Sequence, residues 1–226
     1  MSDLQITSLT EADIAGLQTA LRGQLIQPGD DTYDVARQVY NGMIDRHPRL
    51  IASCVDVADV ITAVSFAREH KLPLSVRGGG HNVTGFAVCD DGLVVDLSGM
   101  KGVRVDPERR TARAEGGCTW GDFDHATHAF GLATPGGVLS TTGVAGLTLG
   151  GGFGYLSRKY GLSCDNLISA DVVTAEGQLL IASADENEDL VWAVRGGGGN
   201  FGVVTSFEFE LHPVDIVYGG PVFYPI

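Results

Sequence analysis

Apolar positions along the chain follow two periods, and the switches between them outline the elements. Val57, Val60, Ile61 and Val64 recur at helical spacing and predict a helix over 57–70. It is flanked by two short apolar runs that read as strands, Arg49-Leu-Ile-Ala-Ser-Cys54 and Leu72-Pro-Leu-Ser-Val-Arg77. Together they make a β-α-β unit. Upstream, residues 10–22 read as a helix, with Thr10 as N-cap, Asp13 three residues on and Gly23 just past the end. Gln27-Pro-Gly-Asp-Asp31 is a turn. Downstream, Gly92–Leu97 is a strand, and 103–106 and 111–115 form a hairpin around Pro107-Glu-Arg-Arg110. Residues 119–130 are helical, with Trp120, Phe123 and Phe130 expected to face inward. Asn166–Thr174 pairs with Gln178–Ala182 across Ala175-Glu-Gly177. A helix over 187–195 stops at Gly196, and Val203, Thr205, Phe207, Phe209 and Leu211 then alternate with period two in a strong strand.

Glycine interrupts this pattern in clusters. The chain has 32 glycines, many in triplets or quartets, with no fixed repeat. The first cluster, Gly78-Gly79-Gly80, sits at the carboxyl end of the second β-α-β strand, where ligands collect in such sheets. Three residues without side chains leave backbone N–H groups free to converge on an anion. Arg77 before them offers a fixed positive charge suited to a pyrophosphate, and His81 follows. A plain glycine-rich turn is the alternative reading. A second cluster carries hydroxyls at Ser140, Thr141 and Thr142 and glycines at 143, 146, 150, 151, 152 and 154. It fits either backbone passing close to a flat ligand or a tightly packed helical corner. Glycine inside a helix costs about 1 kcal/mol relative to alanine, so something must require these six. A third run, Gly197-Gly-Gly-Asn-Phe-Gly202, satisfies Gly-x-Gly-x-x-Gly but follows a helix and opens a strand, the reverse of the dinucleotide fingerprint. A Rossmann reading is rejected on that ground.

Composition narrows the partners. Fifteen basic against 28 acidic residues give a net charge of −13, with lysines only at 71, 101 and 159. Bulk charge therefore argues against nucleic acid and anionic membrane surfaces. No apolar run is long enough to span a membrane. Cys54, Cys89, Cys118 and Cys164 are widely spaced, and with no secretory signal visible they read as reduced thiols of a cytoplasmic protein. His125 and His128 stand at i, i+3, but a metal site needs a third ligand, and exposed helix polar residues are the plainer reading; no metal is expected.

Three blocks, Arg77–Asn82, Gly150–Leu162 and Arg195–Val204, resemble the PCMH-type FAD-binding domain of the vanillyl-alcohol oxidase and p-cresol methylhydroxylase superfamily. Within it the chain is most similar to the berberine-bridge-enzyme-like oxidoreductases. The resemblance runs from about residue 30 to 215. It implies an α+β fold of two small α/β subdomains with FAD extended between them. Residues 1–29 then form an N-terminal helical segment, and 216–226 the start of a substrate domain. Arg77, Gly78, Gly79, Gly80, His81, Asn82 and Gly85 match the pyrophosphate loop. Pro135, Gly136, Gly137, Ser140, Thr141, Thr142, Gly143 and Gly146 match the segment along the ribityl chain and flavin. Gly151 and Gly152 continue that wall, and Val203 meets the adenine or ribose through its backbone. His81 matches the histidine that bonds covalently, through Nδ1, to the 8α methyl of the flavin.

Two departures qualify the match. Doubly linked members carry a cysteine where this chain has Leu139, so a single linkage through His81 is expected. Family members are also about twice this length, and their second domain completes the substrate site. This chain stops about where that domain begins, which points to a truncation, a fragment or a partner chain, and no catalytic base is named. The resemblance implies an FAD-dependent oxidoreductase, or its flavin-binding half. The flavin accepts a hydride from a C–OH or C–N carbon of a small molecule, and oxygen or another acceptor reoxidises it. The alternative is an FAD-binding module without turnover.

Overall fold

The computed structural model describes residues 9–215, 217 and 222–225. The expectation of no leader segment, and most of the expected start of a substrate domain, fall outside the described residues.

Two sheets organise the chain, in the α+β arrangement expected. The first is built from α1 (Glu11–Ala20), β1 (Gln24–Ile26), α2 (Tyr33–Ala36), β2 (Leu50–Ser53), α3 (Val57–Glu69), β3 (Leu74–Arg77) and β4 (Leu93–Asp96). Its strand order is β1-β2-β4-β3, with β2, β4 and β3 parallel and β1 antiparallel at the edge. Residues 9–29 are thus more than a helical appendage, because β1 belongs to the sheet, and Leu17 of α1 and Leu21 just past its end join the core beneath α3. The local signals are clear. Thr10 and Asp13 close a reciprocal capping box on α1, and Asp56 caps α3. Val60, Ala63, Val64 and Ala67 of α3 bury one stripe against Leu50, Ala52, Leu93 and Val95. Buried Asp59 accepts the N–H groups of Arg22, Gly23 and Val55 and ties α1, β1 and β2 to the start of α3.

The second sheet follows from β5 (Val103–Asp106), β6 (Thr111–Glu115), α4 (Trp120–His128), β7 (Leu132–Ala133), α5 (Val144–Leu149), α6 (Ser157–Tyr160), β8 (Leu167–Val173), β9 (Leu179–Ala182), α7 (Glu188–Val194), β10 (Val203–Glu210) and β11 (His212–Pro213). Its order is β5-β6-β10-β8-β9, antiparallel throughout, and β7 pairs separately with β11. One face carries α4, α5 and α7 over Phe207, Phe209, Ala170 and Val172. The other face is polar where Arg113 donates to Asp171, Ser206, Ser169 and Glu208.

Two expectations need correction. Phe130 does not face inward: α4 ends at His128, the helical spacing ends with it, and Phe130 is 51% exposed. The period-two strand also does not present one continuous face. A register shift between Val204 and Ser206 turns the chain, so Val203 joins the core under α3 while Phe207, Phe209 and Leu211 join the second core. His125 and His128 are exposed on α4.

Candidate functional site: a glycine-walled cleft between the sheets

The carboxyl end of β3 delivers Gly78–His81 to the seam between the two sheets. A cleft of about 340 Å³ opens there, within the range of small-molecule sites. Its first wall is Gln38, Val39, Tyr40, Arg77, Gly78, Gly79, Gly80 and His81. Its second is Ser98, Lys101, Gly117, Thr119 and Thr141. No carboxylate lines it among the described residues, although the chain as a whole carries −13.

The glycines at this seam answer to backbone approach. A Cβ on Gly79 would lie 2.3 Å from the Gly143 nitrogen, and one on Gly143 would lie 2.4 Å from the Gly79 nitrogen. A Cβ on Gly117 would lie 1.7 Å from the Leu97 carbonyl oxygen. The first and second glycine clusters therefore press directly on one another, and much of what the sequence reading assigned to a ligand is required by protein backbone. The same holds farther along: Gly136 and Gly137 lie against the Trp120 ring, and Gly154 faces the Gly136 carbonyl. Gly152, at φ +84°, abuts Ser163, whose hydroxyl donates to the Pro135 carbonyl. Gly80, Gly150 and Gly151 leave a Cβ at ordinary contact distance, and Gly146 is the most open of these two clusters, a helical glycine on α5 that is exposed with nothing within 4 Å.

Arg77 also changes role. Its Nε donates to Asp96 Oδ1 at 3.1 Å across the parallel β3–β4 register, and its Nη atoms reach Asp96 and the carbonyls of Ala36 and Gln38. It lines the cleft, but its charge is committed to a carboxylate, so it is not the free cation the sequence suggested. What the cleft does offer an anion is amide. No described residue accepts from the N–H of Gly79, Gly80 or His81, and Gly80 at φ +69° turns the chain there. Lys101 adds a partly exposed charge, paired with Asp122 at 3.4 Å.

His81 closes the first wall. Its ring stacks on Tyr40, with centroids 4.0 Å apart and planes 16° from parallel, and its Nε2 lies 3.0 Å from Thr141 Oγ1. Burial holds its pKa below the usual histidine value, which favours the neutral imidazole. Asn82 points away from the cleft chemistry: its Oδ1 accepts from the N–H groups of Thr84 and Phe86 and shapes the next loop, in which Gly85 packs on Ile44. Ser140 and Thr142 use their carbonyls to accept from Gly121 and Trp120. Val203 stands apart, in a second, apolar cavity of about 300 Å³ with Val64, Leu72, Leu74, Val76 and Val173. Of the residues predicted from sequence, the cleft gathers Arg77, Gly78, Gly79, Gly80, His81 and Thr141. Gln38, Val39, Tyr40, Ser98, Lys101, Gly117 and Thr119 were not foreseen. Only Gly117, in a Gly-Gly pair between strand and helix, carried a signal that could have exposed it. All four cysteines are free, and burial pushes the Cys118 thiol up to about 12.

These features fit the dinucleotide implied above: amides with no acceptor among the described residues, in a cleft that none of their carboxylates lines, suit a pyrophosphate. Comparison with known proteins agrees. Residues 48–183 match the FAD binding domain family. An FAD-linked oxidoreductase of Dictyostelium discoideum is 42% identical over 91% of this chain and 45% of its own length. The (R)-6-hydroxynicotine oxidase of Paenarthrobacter nicotinovorans is 42% identical over 85% of this chain and 42% of its own. Among solved structures, 6-hydroxy-D-nicotine oxidase from Arthrobacter nicotinovorans superposes with a TM-score of 0.84 at 41% identity, covering 85% of this chain and 43% of that one. Xylooligosaccharide oxidase from Myceliophthora thermophila, in complex with xylobiose, gives 0.82 at 34% identity over 89% and 43%. The chain thus spans less than half the length of the relatives it matches. With the cleft, the topology and these matches in agreement, the chain belongs to the FAD binding domain family, in its PCMH-type, berberine-bridge-enzyme-like branch.

Proposed function

We propose that this chain is the flavin-carrying part of an FAD-dependent oxidoreductase acting on a small molecule, with FAD held through a single covalent bond to His81. The carrying observation is the cleft: three amides and no lining carboxylate, the amides unpaired among the described residues, with a neutral-leaning imidazole at its edge. Gly79, Gly80 and His81 hold the pyrophosphate by N–H donation. Gly146 gives the flavin room, and the adenosine end extends to the cavity containing Val203. Bound there, the flavin supplies hydride acceptance from a C–OH or C–N carbon, with oxygen or another acceptor taking the electrons on. Leu139, half-exposed where a second linkage would need a thiol, supports one point of attachment.

A second reading, an FAD-binding module that does not turn over alone, has its own support. Among the described residues no carboxylate lines the cleft to act as base. Val83, Phe86, Val138, Leu139, Phe153 and Tyr155, on the loops around the glycine clusters, are all exposed, as a surface awaiting a covering domain or partner chain would be. One preparation tests both. Purified chain should show flavin absorption, and acid-precipitated protein should stay yellow. His81→Ala should release the colour, and its retention in that variant would sink the covalent assignment. Oxygen uptake or dye reduction across sugars, alcohols and amines decides between the readings, since steady turnover by the chain alone removes the second.

A further inference from the structure

Covalent attachment through Nδ1 demands one tautomer of His81. The Nδ1 lone pair is available only when the proton sits on Nε2, and in the opposite tautomer the nucleophilic nitrogen is blocked. The structure sets one hydroxyl against the other ring nitrogen, Nε2. Thr141 Oγ1 lies 3.0 Å from Nε2, and it comes from the other side of the seam, 60 residues along the chain. A hydroxyl can accept from Nε2–H while keeping its own proton to pass elsewhere. Tyr40, stacked at 4.0 Å, fixes the plane of the imidazole, and its own N–H donates to the Gly80 carbonyl at 3.0 Å. The ring is thus held by its face and by its far nitrogen, and no described residue bonds Nδ1.

We propose that Thr141 is the positioning residue for flavin attachment: its hydroxyl accepts from His81 Nε2, fixes the Nε2–H tautomer and relays the Nε2 proton as Nδ1 bonds to the flavin 8α carbon. This rests on the His81 linkage proposed above. In the step, the Nδ1–C8α bond forms and one 8α C–H bond breaks. Two protons leave to solvent water, one from the 8α carbon and one from Nε2 by way of the exposed Thr141 hydroxyl. Two electrons stay on the flavin ring, and dioxygen takes them up with two protons as hydrogen peroxide. The site therefore assembles only when both glycine clusters are seated, because Thr141 precedes Gly143 by two residues and His81 follows Gly79 by two.

The test uses the purified chain incubated with FAD in air, with acid-stable flavin followed over time. Thr141→Ser, which keeps the hydroxyl, is expected to attach flavin at the unsubstituted rate. Thr141→Val is expected to slow attachment at least tenfold when compared at saturating FAD, where any change in FAD affinity no longer affects the rate. Thr141→Ala is the second hydroxyl-free variant should valine fail to fold. Imidazole ¹⁵N shifts of the flavin-free chain, with His81 assigned by loss of its signals in His81→Ala, are expected to show a protonated Nε2. A valine variant as fast as the unsubstituted chain, serine and valine variants equally slow, or a protonated Nδ1 each overturn the role of Thr141. No acid-stable flavin in the unsubstituted chain overturns the His81 linkage itself, and with it this inference.

Discussion

At the scale of single residues, glycine does two different jobs that look alike in the sequence. Gly79 and Gly143 are glycines because each other's backbone occupies the space of a side chain. Gly146 has open space around it, so protein packing gives no reason to forgo a methyl group. Gly146→Ala should therefore stabilise the flavin-free chain, by up to about 1 kcal/mol from helix propensity. The same methyl group should obstruct a ring lying on α5. Thermal melting with and without FAD checks both halves. A variant that melts higher and still takes up flavin normally would show that the ring does not rest there. Arg77 carries the complementary lesson. Its place before a glycine triplet suggested a free cation, but its partner Asp96 is 19 positions away and reaches it only through parallel strand register. Local sequence holds no trace of that pairing.

Elements were legible where the signal is local and obscure where it is not. The capping box of α1, the apolar stripe of α3 and the β5–β6 hairpin lie within a few residues of themselves and emerge from periodicity and turn chemistry. The insertion of β10 between β6 and β8 does not, since that pairing joins residues far apart in the chain. Nor does the bulge that splits the faces of β10, because alternation alone assumes an unbroken pleat. Two substitutions probe how elements hold the cleft. Asp96→Ala removes the carboxylate that accepts from Arg77 and from the N–H and hydroxyl of Ser98. The Arg77 and Asp96 side chains are only 13% and 5% exposed, and breaking such a pair on one side typically costs about 3–5 kcal/mol. Urea denaturation should show a loss of that order, and a loss below about 1 kcal/mol would mean the pair is dispensable. Gly79→Ala forces a Cβ against the Gly143 backbone and should cost about 1–3 kcal/mol by overpacking. Flavin incorporation should fall more than stability does, because the Gly79–His81 amides move with the loop.

For the molecule as a whole, the contrast between global and local charge sets a kinetic expectation. FAD brings an anionic pyrophosphate to a chain of net charge −13, yet the cleft itself presents amides and the half-exposed Lys101, with Arg77 already paired to Asp96. Repulsion acts at long range and is screened beyond about 10 Å at 0.1 M salt, while the contacts inside the cleft are short. Raising ionic strength from about 10 mM to 0.1 M should therefore speed FAD association. Stopped-flow quenching of flavin fluorescence reads the rate, and a slower association at higher salt would mean that the local cations dominate the approach. The meeting of Gly79 with Gly143 has a different consequence, for how this protein can change over generations. In an ordinary core, a residue that grows is accommodated by a neighbour that shrinks, and paired substitutions drift together. Here both partners are already the smallest residue, so neither can yield to the other. A change at one position has no suppressor at its mate, and among functional variants these two sites should each stand invariant rather than covary.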